Sequence, residues 1–173
     1  ERPVEGAVPP SATAVGATPT DPPRTAPSAP ASRIRTELGD AAVAIVERAD
    51  TAGAARMKVI AAHQAEREAM TSDALIGGYP LEAPLVPLDA DARARLLRRL
   101  LDDASYDRET AHRCANDYFV GVRFQRGRER VEFNLGVRCM QAFWSVRDGD
   151  DVRREGALLT DEAAEAVLQL LAD

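Results

Sequence analysis

Cysteine is scarce in this 173-residue chain, where Cys114 and Cys139 are the only two. Two thiols alone do not fill the four-ligand shell usual for structural zinc, which leaves them one disulfide or two buried thiols. Histidine is equally sparse, with only His63 and His112. Although His112-Arg113-Cys114 sets an imidazole beside a thiol, no orienting partner follows by spacing, and nucleophilic or metal chemistry there is not indicated. Lysine occurs once, as Lys58, among 22 basic residues, and the formal charge is −6. The chain therefore lacks the excess of clustered cations that a general nucleic-acid binder needs. No run approaches the roughly 18 apolar residues of a membrane-spanning helix. Asp148, Asp150 and Asp151 lack the Glu that completes an EF-hand loop, so a solvated turn is expected rather than a calcium site. No segment carries a catalytic or cofactor signature, and the acidic residues elsewhere, including Asp102 and Asp103, single out no carboxylate pair.

Proline, by contrast, is concentrated. Of the 11 prolines, Pro3, Pro9, Pro10, Pro19, Pro22, Pro23, Pro27 and Pro30 lie in residues 1–32, mixed with Ala, Thr and Ser. Such a segment buries too little apolar surface to offset the entropy of ordering, so a disordered tail with polyproline II character is expected. Fully extended, it would reach on the order of 100 Å. The chain starts at Glu1 without methionine, which reads as a processed or truncated form, and the tail suits either a tether from a lipid anchor upstream or an ordinary terminus. The remainder, residues 33–173, has the size and the apolar content for a single domain.

Within that domain, residues 34–46 fit either a helix lined by Ile34, Leu38, Val43, Ile45 and Val46 or a strand over about 42–49 ended by Asp50-Thr51-Ala52-Gly53. We expect the strand, followed by a helix from Ala54 to Met70. Ile76-Gly77-Gly78-Tyr79-Pro80-Leu81 reads as a bend and an extended segment, since Pro80, Pro84 and Pro87 bar a helix. Asp89 is a good N-cap for a helix over 90–102 with Leu96, Leu97, Leu100 and Leu101 as its buried stripe. Thr160 caps a second helix over 161–172, with Ala164, Val167, Leu168 and Leu171 at helical spacing.

Between these helices two alternating runs, Tyr118–Gln125 and Arg130–Cys139, flank Arg126-Gly127-Arg128-Glu129 and predict a β-hairpin. Tyr118, Val120, Val122, Phe124, Val131, Phe133, Leu135, Val137 and Cys139 share the core face. Phe119, Gly121, Arg123, Glu132, Asn134 and Arg138 form a mostly solvent-compatible face. Two registers fit. A turn at Arg126-Gly127 sets Cys114 across from Cys139, as a disulfide requires, whereas a turn at Gly127-Arg128 pairs Arg123 with Glu132 and offsets the cysteines. Phe143-Trp144-Ser145-Val146 reads as a third strand, with Phe143 and Trp144 on opposite sides. Arg123, Arg126, Arg128 and Arg130 crowd the hairpin tip and form the candidate contact for an anionic group or partner, the alternative being a solvated turn.

The Leu-rich helix, Ser105-Tyr106, Cys114, Gly121-Val122-Arg123-Phe124, Gly127, Val131-Glu132-Phe133 and Cys139 resemble a family of small bacterial exported or lipoprotein-like proteins with a Cys-flanked β-hairpin, over about Ile76–Phe143. Its members carry a further cysteine near the last one, and an aromatic and a proline soon after the first. Gly136, Asn116 and Tyr118 stand at those positions here, so a three-cysteine metal or redox site is not implied. What the resemblance implies is fold and location. The expectation is an α+β domain, a mainly antiparallel sheet built on a central hairpin and packed by two or three helices. Its expected role is that of a non-enzymatic interaction or scaffold protein of the bacterial cell envelope, periplasmic, outer-membrane-tethered or secreted, with Cys114 and Cys139 disulfide-bonded. An exported hydrolase or ligand-binding protein is the alternative.

Overall fold

The computed structural model describes residues 31–58, 69–109, 118–136, 140–148 and 151–172. Residues 31–173 make one compact unit. Two short helices open it, α1 (Arg33–Leu38) and α2 (Asp40–Glu47), divided by Gly39 at φ 82°. The expected strand over 42–49 is therefore a helix. Ala42, Val43, Ile45 and Val46 are all buried beside Ile34 and Leu38, and their spacing of three and four puts them on one helical stripe, a pattern a strand would split between two faces.

The strand comes next instead, as β1 (Thr51–Arg56), made of the residues read as a turn and the start of a helix. Small side chains make it a strand by necessity of fit: Gly53, Ala54 and Ala55 are buried and pair along β6 (Tyr118–Arg126). The helix expected over 54–70 is thus displaced by β1 up to Arg56, and Met57 bridges to Leu81. Residues 59–68 lie outside the described residues.

The remaining elements follow the sequence more closely. Gly77 and Gly78, both at positive φ, turn a small hairpin of β2 (Leu75–Ile76) and β3 (Tyr79–Pro80), and β4 (Val86–Pro87) adds an edge to β1. Helix α3 (Ala90–Leu100) starts at Asp89, whose Oδ1 accepts from the Ala92 N–H at 2.7 Å. Leu96 and Leu100 are fully buried, and Leu97 and Leu101 pack at the margin of the core. After β5 (Tyr106–Asp107) come β6, β7 (Glu129–Gly136), β8 (Gln141–Asp148) and β9 (Asp151–Leu159), an antiparallel meander. Helix α4 (Asp161–Ala172) closes the unit, and Thr160 Oγ1 caps it by accepting from the Ala163 N–H at 3.2 Å.

The architecture is α+β: a seven-stranded antiparallel sheet in the order β4-β1-β6-β7-β8-β9-β5, with the β2–β3 hairpin as a separate small sheet. The hairpin turns at Gly127-Arg128, with Gly127 at φ 56° and no positive φ at Arg128, the type II′ pattern that matches strand twist. Arg123 thereby faces Glu132, and a bulge between Tyr118 and Val120 shifts the register by one residue. One face of the sheet carries Val122, Phe124, Val131, Phe133, Leu135, Ala142 and Trp144 into the main core with the helices. Trp144 and Phe133 are fully buried there, each contributing about 1.5–3 kcal/mol or more by leaving water. Both edge strands, β4 and β5, are two residues long, and Pro87 sits in one of them, features that discourage edge-to-edge pairing.

Candidate functional site

The opposite face of the sheet is where the structure departs most from the sequence expectation. Strand pairing lines up three rows of outward side chains. The central row is Gly53, Arg123, Glu132, Ser145 and Arg154; beside it lie Gln125, Arg130, Arg147 and Val152 on one side and Gly121, Asn134, Phe143 and Gly156 on the other. A solvated face was expected, yet Arg123, Glu132, Asn134 and Ser145 are all buried. The cover is the segment from Ser72 to Leu85. Ile76 and Met57 form a second apolar cluster with Tyr79, Leu81, Leu85 and Phe143 packed against it. Gly121 makes this possible, because a Cβ there would come within 2.6 Å of Met57 Sδ and 2.8 Å of Ile76 Cδ1. Trp144 and Phe143 do take opposite sides, Trp144 in the main core and Phe143 in the second cluster under this segment.

Arg123 is the clamp that holds the cover down. Its Nε donates to Glu132 Oε1 at 2.8 Å, and its Nη atoms donate to the carbonyls of Ser72, Asp73 and Leu75. These carbonyls belong to the 3₁₀ turn Ser72–Ala74 and to Leu75, the first residue of β2. Glu132 is held from above as well, its Oε2 accepting from the Gly77 N–H at 3.1 Å. Asp73, at the rim, takes Arg130 Nη2 at 2.7 Å. Asn134 is 1% exposed beneath Gly77, with neither amide atom hydrogen-bonded.

Of the four arginines expected at the hairpin tip, the structure brings together only Arg123 and Arg130, which lie 3.7 Å and 2.7 Å from the same Asp73 Oδ1. Arg123 is buried in the clamp and Arg130 is paired to Asp73, while Arg126 and Arg128 are exposed at the turn. The tip itself is braced from below, since the Gly127 N–H donates to Asp50 Oδ2 at 2.8 Å. Cys114 and Cys139 lie outside the described residues. Among the described residues no group of three or more His, Cys, Asp or Glu could hold a metal ion, and no helix is long and apolar enough to cross a membrane.

Between the cover and β1 runs a groove of about 700 Å³. Gly53, Ala52, Arg123 and Gln125 lie in its floor, and Ala74, Leu81, Pro84, Leu85 and Pro87 in its walls. Val86 is 67% exposed, the most exposed large apolar side chain among the described residues, but as the strand partner of Ala54 it projects from the other, helix-clad side of the sheet. Sequence reasoning missed Asp73, Gly77, Ser145, Arg147 and Arg154 as members of this face. Ser145 and Arg147 were legible in principle, because they alternate with Trp144 and Val146 along one strand; Arg154 was not, because Asp151–Leu159 carries no clear two-residue period.

The fold and this face define a class, an α+β domain whose antiparallel sheet is clad by helices on one side and clamped under a proline-bearing segment on the other. No family model, curated protein or solved structure matches the chain. The resemblance to exported Cys-hairpin proteins therefore rests on its residues alone.

Proposed function

We propose that this protein is a non-enzymatic interaction or scaffold protein of the bacterial cell envelope, and that its partner, a protein presenting an apolar segment, seats in the groove between β1 and the Leu81–Pro87 segment. The observation that carries this reading is the groove itself, with Leu81, Pro84, Leu85 and Pro87 in its walls. An apolar-walled concavity of this kind is what a protein partner covers. The short edge strands direct contact to this face rather than to strand addition. The proline-rich residues 1–32 and the two cysteines support the envelope location, as a tether and a disulfide suit an oxidising compartment.

A photo-crosslinking residue placed at Ala83 or Pro84, and at the exposed Arg98 on α3 as control, tests this in the host's envelope fraction. One protein labelled from Ala83 and Pro84 but not from Arg98 is the expected result. Labelling that is equal from all three positions, or absent from the groove, would overturn it.

A further inference from the structure

Beyond the groove, and independently of the partner reading, the far side of the clamp holds a smaller cavity of about 240 Å³, lined by Glu132, Ser145, Arg147, Val152 and Arg154 and roofed by Ser72, Leu75, Gly77 and Gly78. We propose that this cavity is a binding site for a phosphate-type oxyanion, with Arg147 and Arg154 as its cationic ligands and the Ser145 hydroxyl as a neutral donor.

Charge is the first argument. Across the outer rows Arg123, Arg130, Arg147 and Arg154 face two carboxylates, Glu132 and Asp73, a surplus of two positive charges. The carboxylates are already committed to Arg123 and Arg130. Glu132 lies in the cavity wall, yet its Oε1 accepts from Arg123 and its Oε2 from the Gly77 N–H, so its charge is met from within. Among the described residues no carboxylate pairs with Arg147 or Arg154.

Register is the second. Arg147 stands directly opposite Arg130, and Arg154 sits opposite Ser145, one pair along on the neighbouring strand. Asp73 neutralises Arg130, but Arg147 and Arg154 are diagonal neighbours on the cavity wall, and a dianion between them would offset their mutual repulsion. Guanidinium forks match phosphate oxygens in geometry as well as in charge.

Ser145 is the third. It is 5% exposed, lines the cavity and has no protein hydrogen-bond partner among the described residues. Its hydroxyl is not sealed from solvent, and it can donate to an oxyanion seated in this cavity. The volume lies below the roughly 300–1,000 Å³ of sites that enclose a whole drug-sized ligand, so the cavity takes a phosphate group rather than a large molecule around it. A free phosphate ester and a lipid headgroup share that chemistry.

The test titrates the purified full chain with inorganic phosphate and with vesicles of phosphatidylcholine carrying phosphatidic acid, followed by amide NMR shifts and thermal melting. Expected are saturable shifts at Ser145, Arg147 and Arg154 with millimolar phosphate, and a rise in melting temperature of about 3 °C near saturation. Arg147→Ala and Arg154→Ala should each weaken phosphate binding at least about tenfold, whereas the double variant Arg126→Ala/Arg128→Ala at the hairpin tip should bind as the wild type does. Both cavity variants should melt no lower than the parent without phosphate, which separates lost binding from lost folding. Vesicle binding that free phosphate competes away would make a lipid headgroup the source; phosphate binding without vesicle binding would make it a soluble ester, and both uphold the site. Absence of saturable phosphate shifts, or loss of binding in the tip variant alone, would overturn it.

Discussion

Arg123 Nε lies 2.8 Å from Glu132 Oε1 in the middle of the sheet's outer face, and the same guanidinium caps the carbonyls of Ser72, Asp73 and Leu75. The pair thus joins the central hairpin to the segment that covers it. Its side chains are 5% and 10% exposed, so removing one partner strands a charge in a poorly solvated place.

Replacing Arg123 should therefore cost more than a surface arginine would. Arg123→Ala is expected to lower unfolding free energy by about 3–5 kcal/mol, read from urea denaturation. A double replacement, Arg123→Met with Glu132→Leu, tests what the guanidinium does besides pairing. Apolar replacement of a buried ion pair is often neutral, but here three backbone acceptors also lose their donor. The double variant should stay at least about 1 kcal/mol below the parent. Parental stability in it would show that the carbonyl contacts contribute nothing.

Gly77 and Gly127 share φ 56° but differ in surroundings. A Cβ at Gly127 meets nothing within 4 Å, whereas one at Gly77 would lie 2.3 Å from Asn134 Nδ2. Gly127→Ala should cost about 1–2 kcal/mol, the left-handed backbone penalty alone. Gly77→Ala should cost distinctly more, and adding Asn134→Ala should recover part of the difference. Equal costs for the two single variants in chemical denaturation would refute the close approach.

Acid and alkaline stability should be limited by different groups. Asp103 accepts from the Ile34 N–H at 2.7 Å and the Arg33 N–H at 2.9 Å at the start of α1. The hydrogen bond from Ile34 is the main cause that holds its carboxyl below the ordinary 3.8. With the folded value depressed, its contribution is present above pH 3.8 and is lost as pH falls through the folded value. Asp103→Asn should flatten the melting curve's pH dependence in that acid window. On the alkaline side burial pushes the Tyr106 phenol well above its ordinary 10.0, and its hydroxyl donates to the Leu100 carbonyl at 2.7 Å. That contribution is present below pH 10 and is lost as pH rises through the folded value. Ultraviolet titration should find one tyrosine ionising only as the chain unfolds, and Tyr106→Phe should remove that step.

Much of the architecture was legible in local pattern. The alternation in Tyr118–Gln125 and Arg130–Cys139 implied a hairpin with one apolar face, and Val122, Phe124, Val131, Phe133 and Leu135 are in the main core. Asp89 and Thr160 marked the starts of α3 and α4, because a side-chain oxygen able to cap free N–H groups is a local property. Two runs of small and β-branched residues resisted such reading. Asp40–Glu47 has the composition of either element and became a helix because α1 and the sheet offered a core for one stripe of it. Thr51–Arg56, rich in Gly and Ala, became a strand because β6 supplied its ladder and β4 needed a flat neighbour: a Cβ at Gly53 would sit 3.1 Å from the Val86 carbonyl.

The candidate site belongs almost wholly to tertiary structure. Sequence alone determined which residues alternate, and hence that Arg123, Glu132 and Asn134 share a face, since side-chain direction along a strand follows from backbone geometry. It left open the hairpin register, which the Gly127-Arg128 turn and the facing of Arg123 to Glu132 resolve. It could not show that this face is buried, because the covering comes from Ser72–Leu85, some 50 positions away from Arg123. Nor could it show that Arg147 and Arg154 meet no carboxylate among the described residues. Pairing of charges between strands and over-folded segments depends on which surfaces meet, and that is decided only when the whole chain packs.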